Sequence, residues 1–510
     1  MTNPLFDALL APHVDSDAQF ATLQDGSSLS YQEFLNGVFR AAGVLRECGL
    51  TKGDRLALQV EKSVNALEIY GACMMTGVIF LPMNTAYTPD EIDYFLRDAQ
   101  AGVFICDPSR EAQFQPLAQR HGTRLLTLSQ TGQGSFVDLA RSADPVETPE
   151  RCAPDDVAAL LYTSGTTGRS KGAMLTQENL LSNARVLVDQ WRMSQDDCLL
   201  HALPIFHAHG LFVAINTTWL SGSRLIFLPS FNVDQVLAAL SDATTMMGVP
   251  TFYTRLLDDD RFTADLVQSM RLFISGSAPL LAETHDRFDA RTGHRILERY
   301  GMTETGMNTS NPFDAERRAG TVGFPLHGIE IRITNPETEE EVAEGEIGMI
   351  EVRGPNVFKG YWHMPEKTRE ELRENGFFIT GDLGRRDADG YIHIVGRSKD
   401  LVISGGYNVY PKEVEQVIDD VDWVRESAVI GVPHPDFGEG VVAVVVPETG
   451  SNADMDALIA AAGSKLAKFK QPKEVIVVDG LPRNTMGKVQ KNVLRSMYGD
   501  LFMQKAASAG

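Results

Sequence analysis

A two-domain α/β fold is predicted for this chain. A large N-terminal body of mixed, largely parallel sheets with helices, plus a small β-region, precedes a small C-terminal α+β domain. Three observations carry that expectation. Short apolar runs alternate with amphipathic stretches through roughly the first hundred residues, which is βαβ logic and implies a parallel sheet. The pattern turns antiparallel near Gly345 and changes again past Arg397. The chain's 510 residues also exceed the size at which one hydrophobic core keeps growing.

The elements follow in order. Ser30-x-x-Glu33 caps a helix whose apolar stripe is Phe34, Leu35, Val38, Ala42 and Leu45. A strand over residues 55–59, a helix over about 62–75 and a strand over 78–82 come next. Thr88-Pro89-Asp90-Glu91 opens another helix: the threonine hydroxyl can accept from the third helical N–H, and proline loses nothing at the first position. Apolar strands recur over residues 102–106, 223–228, 245–249 and 272–275. Antiparallel strands are expected at 348–353 and 391–395, with a turn at Asp387-Ala-Asp-Gly390. Asn408-Val-Tyr-Pro-Lys-Glu begins a helix with Val414, Val417, Ile418 and Val421 on one face, followed by strands at 427–431 and 441–446. The boundary is placed at 396–400, giving a body of residues 1–396 and a second domain of residues 397–510, a normal domain size.

Composition narrows the function. A formal charge of −22 repels nucleic acid and anionic lipid, so neither is an expected partner. The longest apolar runs are strand-sized, and the first residues lack a basic, apolar leader pattern. Five widely spaced cysteines without a CxxC argue against a disulfide framework or a zinc site and for a reducing cytoplasm. One segment, residues 465–495, runs against the acidic trend with eight basic residues and two acidic ones. Most of these read as a solvated basic face, although phosphates could also be met there.

The chemistry concentrates in a few motifs. In Thr163-Ser164-Gly165-Thr166-Thr167-Gly168-Arg-Ser-Lys171-Gly the glycines allow tight turns that bring N–H groups toward an anion, the hydroxyls add donors, and Lys171 adds a charge. The spacing does not fit the GxxxxGK[ST] loop. Downstream stand Tyr300-Gly301-Met302-Thr303-Glu304, Thr380-Gly-Asp382, Gly396-Arg397-Ser-Lys399-Asp400, Ser404-Gly405-Gly406-Tyr-Asn408 and Pro482-Arg-Asn-Thr-Met-Gly-Lys488. Six motifs in this order resemble the adenylate-forming superfamily of acyl- and aryl-CoA synthetases, peptide-synthetase adenylation domains and firefly luciferase, over nearly the whole chain.

The resemblance implies a ligase using ATP, Mg²⁺ and coenzyme A in two steps: a carboxylate displaces pyrophosphate from ATP, then a thiol displaces AMP. Both steps crowd negative charge, so catalysis rests on positioning and charge neutralisation. It implies that Thr303 contacts the α-phosphate, that Glu304 holds Mg²⁺, and that the 163–172 loop holds the outer phosphates. Asp382 would accept from the ribose hydroxyls with help from Arg397, while Gly276, Ser277, Ala278 and Tyr300 bracket adenine. Lys488 would bridge carboxylate and α-phosphate. The C-terminal domain would be mobile, turning about a hinge at Lys399 to withdraw Lys488 and bring up Ser404, Gly405 and Gly406 beside the pantetheine arm. A monomer or homodimer is expected.

The acid pocket is drawn by resemblance from residues 203–210, 248–255 and 275–279. Those segments offer Arg255, His207 and Ser277 and no aspartate for an ammonium, which suggests a second carboxylate on the substrate. Their wording is most similar to malonyl-CoA synthetases, implying malonate, with methylmalonate as a second substrate. Arg255 would pair the distal carboxylate; His207 could instead be a packing or gating residue. A ligase for another short acid, a standalone enzyme loading a carrier protein, and a luciferase-like oxygenase would share the nucleotide motifs.

Overall fold

The computed structural model of the chain describes residues 2–163, 170–405, 407–485 and 487–502. Two compact units result, Met1–Ile331 with Val352–Phe378, and Arg332–Glu351 with Ile379–Gly510. No helix among the described residues is long and apolar enough to cross a membrane, and the five cysteines are free thiols.

The first unit holds two sheets. In a six-stranded sheet, Arg124–Thr127, Val103–Cys106, Arg55–Gln59, Ile79–Pro82 and Val157–Thr163 run parallel, and Lys171–Thr176 closes the edge antiparallel to the last of them. Ala57, Leu81 and Phe104 on this sheet bury against Ile92, Phe95 and Leu96 of the helix Pro89–Ala99. That helix starts as its capping sequence predicts: Thr88 Oγ1 accepts from Glu91 N, and the Glu91 carboxylate accepts from Thr88 N at 2.8 Å. The same reciprocal pair between Ser30 and Glu33 opens Tyr31–Glu47. The helix expected at 62–75 runs over Val64–Thr76, capped by Ser63 and stopped by Gly77 at φ 70°.

The second sheet has nine strands, in the order Phe324–Pro325, Gly306–Ser310, Leu297–Met302, Leu272–Ser275, Thr245–Gly248, Cys198–His201, Arg224–Phe227, Gln19–Leu23 and Ser28–Ser30. From Leu297–Met302 to Gln19–Leu23 every neighbour pair is parallel. Four neighbouring strands therefore deliver their carboxyl ends along one edge, where open parallel sheets place ligands. The segments leaving those four ends begin at residues 202, 249, 276 and 303, which are the stretches carrying the candidate acid-pocket and magnesium residues.

A four-stranded sheet follows, Glu330–Thr334, Gly348–Arg353, Phe378–Arg386 and Ile392–Arg397, the last two antiparallel. The turn at Asp387-Ala-Asp-Gly390 closes with Gly390 N donating to Asp387 O, with Gly390 at φ 89°. The C-terminal sheet is built on Val424–His434 paired antiparallel with Gly438–Pro447, flanked by Val402–Ser404, Tyr407–Val409 and Glu474–Val477. Val441, Ala443 and Val445 face the helices Pro411–Asp419 and Met455–Lys465, while Val442, Val444 and Val446 face Leu481, Leu494 and Phe502. The continuous valine run is thus a strand buried on both faces.

Candidate active site

The candidate residues fall into clusters that are built separately within the two units. Thr163 and Lys171 stand opposite each other where the antiparallel pair Val157–Thr163 and Lys171–Thr176 opens into the glycine-rich loop. Ser164, Gly165, Thr166, Thr167 and Gly168 lie outside the described residues. Lys171 is buried, its Nζ 3.1 and 3.2 Å from the two oxygens of Glu371 and 4.1 Å from the Tyr361 ring centre. The Tyr361 hydroxyl lies 2.6 Å from Glu371 and 3.1 Å from Oε1 of Glu304, to which Thr163 Oγ1 also donates at 3.4 Å. Burial pushes the Glu371 carboxyl upward, yet hydrogen bonds from Tyr361 and Lys367 and the Lys171 ammonium together hold it below its ordinary value. The site therefore joins Thr163, Lys171 and Glu304 through two residues, Tyr361 and Glu371, that no motif signalled.

Tyr300, Gly301 and Met302 end the strand Leu297–Met302, which turns back through Thr303 and buried Glu304 into Gly306–Ser310. Gly301 is required there, because a Cβ would stand 2.1 Å from Gly306 O.

A second cluster lies at the ends of the neighbouring strands. Ser277 is held at φ 70°, a left-handed conformation that costs a non-glycine residue on the order of 1–3 kcal/mol and concentrates at functional sites. Its Oγ is 3.2 Å from Nδ1 of buried His209, and His209 N donates to His207 Nδ1. Burial first, then the charge of Arg299, keep His209 neutral, well below the ordinary histidine range. Arg299 is 4% exposed, and neither its Nε nor its Nη2 has a hydrogen-bond partner among the described residues. Burial lowers its pKa to about 9, so at pH 7 it remains a cation facing inward. Gly276 makes room for it: a Cβ there would fall 2.2 Å from the guanidinium carbon.

Arg255, expected in this cluster, stands exposed on Pro250–Leu257, whose buried residues are Tyr253, Leu256 and Leu257. Helical spacing turns position 255 away from that buried face. A desolvated cation in this cluster is Arg299, two positions into the strand preceding Thr303. Its burial has no local sequence signature.

In the second unit, Asp382 is buried on Phe378–Arg386, opposite Arg397 on the paired strand, with Arg397 Nε 2.9 Å from Oδ1. Thr380 Oγ1 accepts from Asp382 N and donates to Ile350 O, fixing the turn where Gly381 takes φ 71°. Lys399 follows in a short helical turn, and Asp400 beside it is held by Arg495 at 2.5 Å. Lys488 leaves a tight turn in which Asn484 and Lys488 exchange N–H donations, with Arg483 tying the turn to Glu426. Much of the Lys488 side chain is open to solvent, but its ammonium tip is crowded. Burial and the like charges of Arg397 and Lys399 lower its pKa to about 8, against the opposing pull of Asp382 and Asp400. Ser404 is buried and starts a hairpin closed by Tyr407, Gly405 takes φ 60°, and Gly406 lies outside the described residues.

Compared with protein families, residues 10–362 match AMP-binding enzyme and residues 413–488 match AMP-binding enzyme C-terminal domain. The chain belongs to the AMP-binding enzymes. Among them it is similar to the feruloyl-CoA synthase of Amycolatopsis sp, at 37% identity over 97% of this chain and 98% of that one. It is also similar to the malonate–CoA ligase of Arabidopsis thaliana, at 31% identity over 96% and 88%. The crystal structure of ATP-bound MatB from Rhodopseudomonas palustris is 55% identical, covers 98% of this AMP-binding enzyme and 100% of that chain, and superposes with a TM-score of 0.96.

Proposed function

We propose that this AMP-binding enzyme is an ATP-dependent malonate–CoA ligase, able also to take methylmalonate, releasing AMP and pyrophosphate. The observation that carries the choice of acid is buried Arg299, two of whose guanidinium nitrogens have no partner among the described residues, in the cluster with Ser277 and His209. The likeness to MatB and to malonate–CoA ligases supports it. The feruloyl-CoA synthase relative supports the ligase class, but an unpaired buried guanidinium suits an aromatic acid with one carboxylate poorly.

In the first step one malonate oxygen attacks the α-phosphorus of ATP and the bond to pyrophosphate breaks, giving malonyl-adenylate. In the second, the CoA thiolate attacks the acyl carbon and AMP leaves. Arg299 pairs the distal carboxylate, while Lys488 as a point charge ties the reacting one to the α-phosphate. Thr303 contacts that phosphate, Asp382 and Arg397 hold the ribose, and Thr163, the 164–168 loop residues and Lys171 take the outer phosphates. Gly276 to Ala278 and Tyr300 flank adenine. Glu304, a buried carboxylate met by two hydroxyls, offers the hard oxygen donors that suit Mg²⁺. When bound, Mg²⁺ would neutralise phosphate charge.

Residues 397–510 act as a lid turning about Lys399, presenting Lys488 first and Ser404, Gly405 and Gly406 second. Support for a distinct C-terminal part comes from the match of residues 413–488 to the AMP-binding enzyme C-terminal domain; the pairs Arg397–Asp382 and Asp400–Arg495 both lie within the second unit. A monomer or homodimer in the cytoplasm completes the reading.

The test is a panel of mono- and dicarboxylates with ATP, Mg²⁺ and CoA, scored for AMP release. An unpaired buried arginine costs roughly 3–5 kcal/mol, so malonate is expected to exceed acetate by about two to three powers of ten in kcat/KM. Arg299→Met should compress that ratio, whereas Arg255→Met should leave it. An unchanged ratio in Arg299→Met would dismiss the diacid role of Arg299.

A further inference from the structure

Lys62 is 6% exposed and His201 1% exposed, and neither belongs to any motif above. Lys62 Nζ is 2.6 Å from His201 Nδ1, 2.9 Å from His201 O and 4.4 Å from the Phe227 ring centre. Among the described residues it has no carboxylate partner. A lysine buried in this way is costly and uncommon. On the far side of the imidazole, Nε2 is 2.7 Å from Gly210 O. A carbonyl only accepts, so Nε2 carries the hydrogen, and Nδ1 is left as the lone pair that receives Lys62. The amine thus fixes which nitrogen of His201 is the donor.

Gly210 belongs to a π-helical turn, His209–Val213, a geometry that recurs at functional sites. The turn is wedged in place: a Cβ on Gly210 would stand 2.0 Å from Pro204 O. One residue earlier, His209 meets Ser277, and its Nε2, like two nitrogens of Arg299, has no partner among the described residues. His201 itself ends the strand Cys198–His201, directly before the acid-pocket segment.

We infer that Lys62 and His201 are positioning residues of the acid pocket, acting through the Gly210 carbonyl to set the His207–His209 turn against Ser277 and Arg299. The inference rests on the diacid reading of that pocket. Displacing such a turn by about an ångström costs on the order of a hundredfold where reacting groups must be aligned.

The experiment is steady-state kinetics of the full chain for malonate, acetate and ATP. Lys62→Met keeps the stem over Phe227 and removes the donor. Its malonate KM is expected to rise roughly tenfold to a hundredfold, with ATP KM and thermal midpoint unchanged. His201→Gln can still donate to Gly210 O, whereas His201→Asn keeps only an acceptor for Lys62, so the glutamine variant should retain the lower malonate KM. An unchanged malonate KM in folded Lys62→Met, an equal rise in malonate and ATP KM, or asparagine matching glutamine would each overturn the inference. If the wild-type enzyme fails to prefer malonate, the diacid reading falls on its own. The positioning role is then read from the KM of the acid the panel does select, which must still rise in Lys62→Met.

Discussion

Lys488 carries the sharpest consequence at the scale of single residues. Its ammonium is lowered to about 8, and the proposed first step uses the charged form. Raising the pH through about 8 removes the proton, so adenylate formation, followed by pyrophosphate release, is expected to decline on that limb. Thioester formation from supplied malonyl-adenylate should not follow it. Lys488→Arg, which stays charged, should abolish the limb whatever its absolute rate, and Lys488→Ala should lose the first half-reaction while keeping the second. An equal loss of both halves in Lys488→Ala would refute the assignment. The motif around Lys488 was legible because Pro482-Arg-Asn-Thr-Met-Gly-Lys488 resembles a family motif. Arg299 was not, since an arginine beside Tyr300 looks the same in sequence whether it meets solvent or a pocket. The pattern Tyr253, Leu256, Leu257 already held the information that position 255 faces outward.

Elements inherit their precision from such local rules. Capping sequences at Ser30 and Thr88 set helix starts to the residue, because each satisfies two otherwise orphaned N–H groups. The antiparallel pair that frames the glycine-rich loop was unforeseen, as was the π turn at His209–Val213, in which the Gly210 carbonyl accepts from His201. The turn after Leu272–Ser275 offers its own test. Gly276→Ala would place a methyl 2.2 Å from the Arg299 guanidinium carbon, forcing the cation aside at an overpacking cost of about 1–3 kcal/mol. The expected outcome is a folded enzyme whose malonate-to-acetate ratio falls, read from kinetics alongside the thermal midpoint. A ratio equal to wild type would show that the guanidinium position does not matter.

Over the whole molecule, the alternation of short strands and helices foretold a body of largely parallel sheets and a separate C-terminal α+β unit, because hydrophobic period reports layer architecture. Strand order was not legible, since it depends on pairings between segments far apart in the chain, such as Gln19–Leu23 with Arg224–Phe227. The central strand Gly438–Pro447 sends odd residues into one apolar cluster and even residues into another. A sheet insulated on both sides in this way owes its cohesion to its own side chains. Calorimetry should therefore resolve a melting event for the C-terminal region apart from that of the main body, and Val444→Asp should lower the temperature of that event alone. Such independence is what the proposed turning of the C-terminal part would require, since a part that moves must hold its own shape.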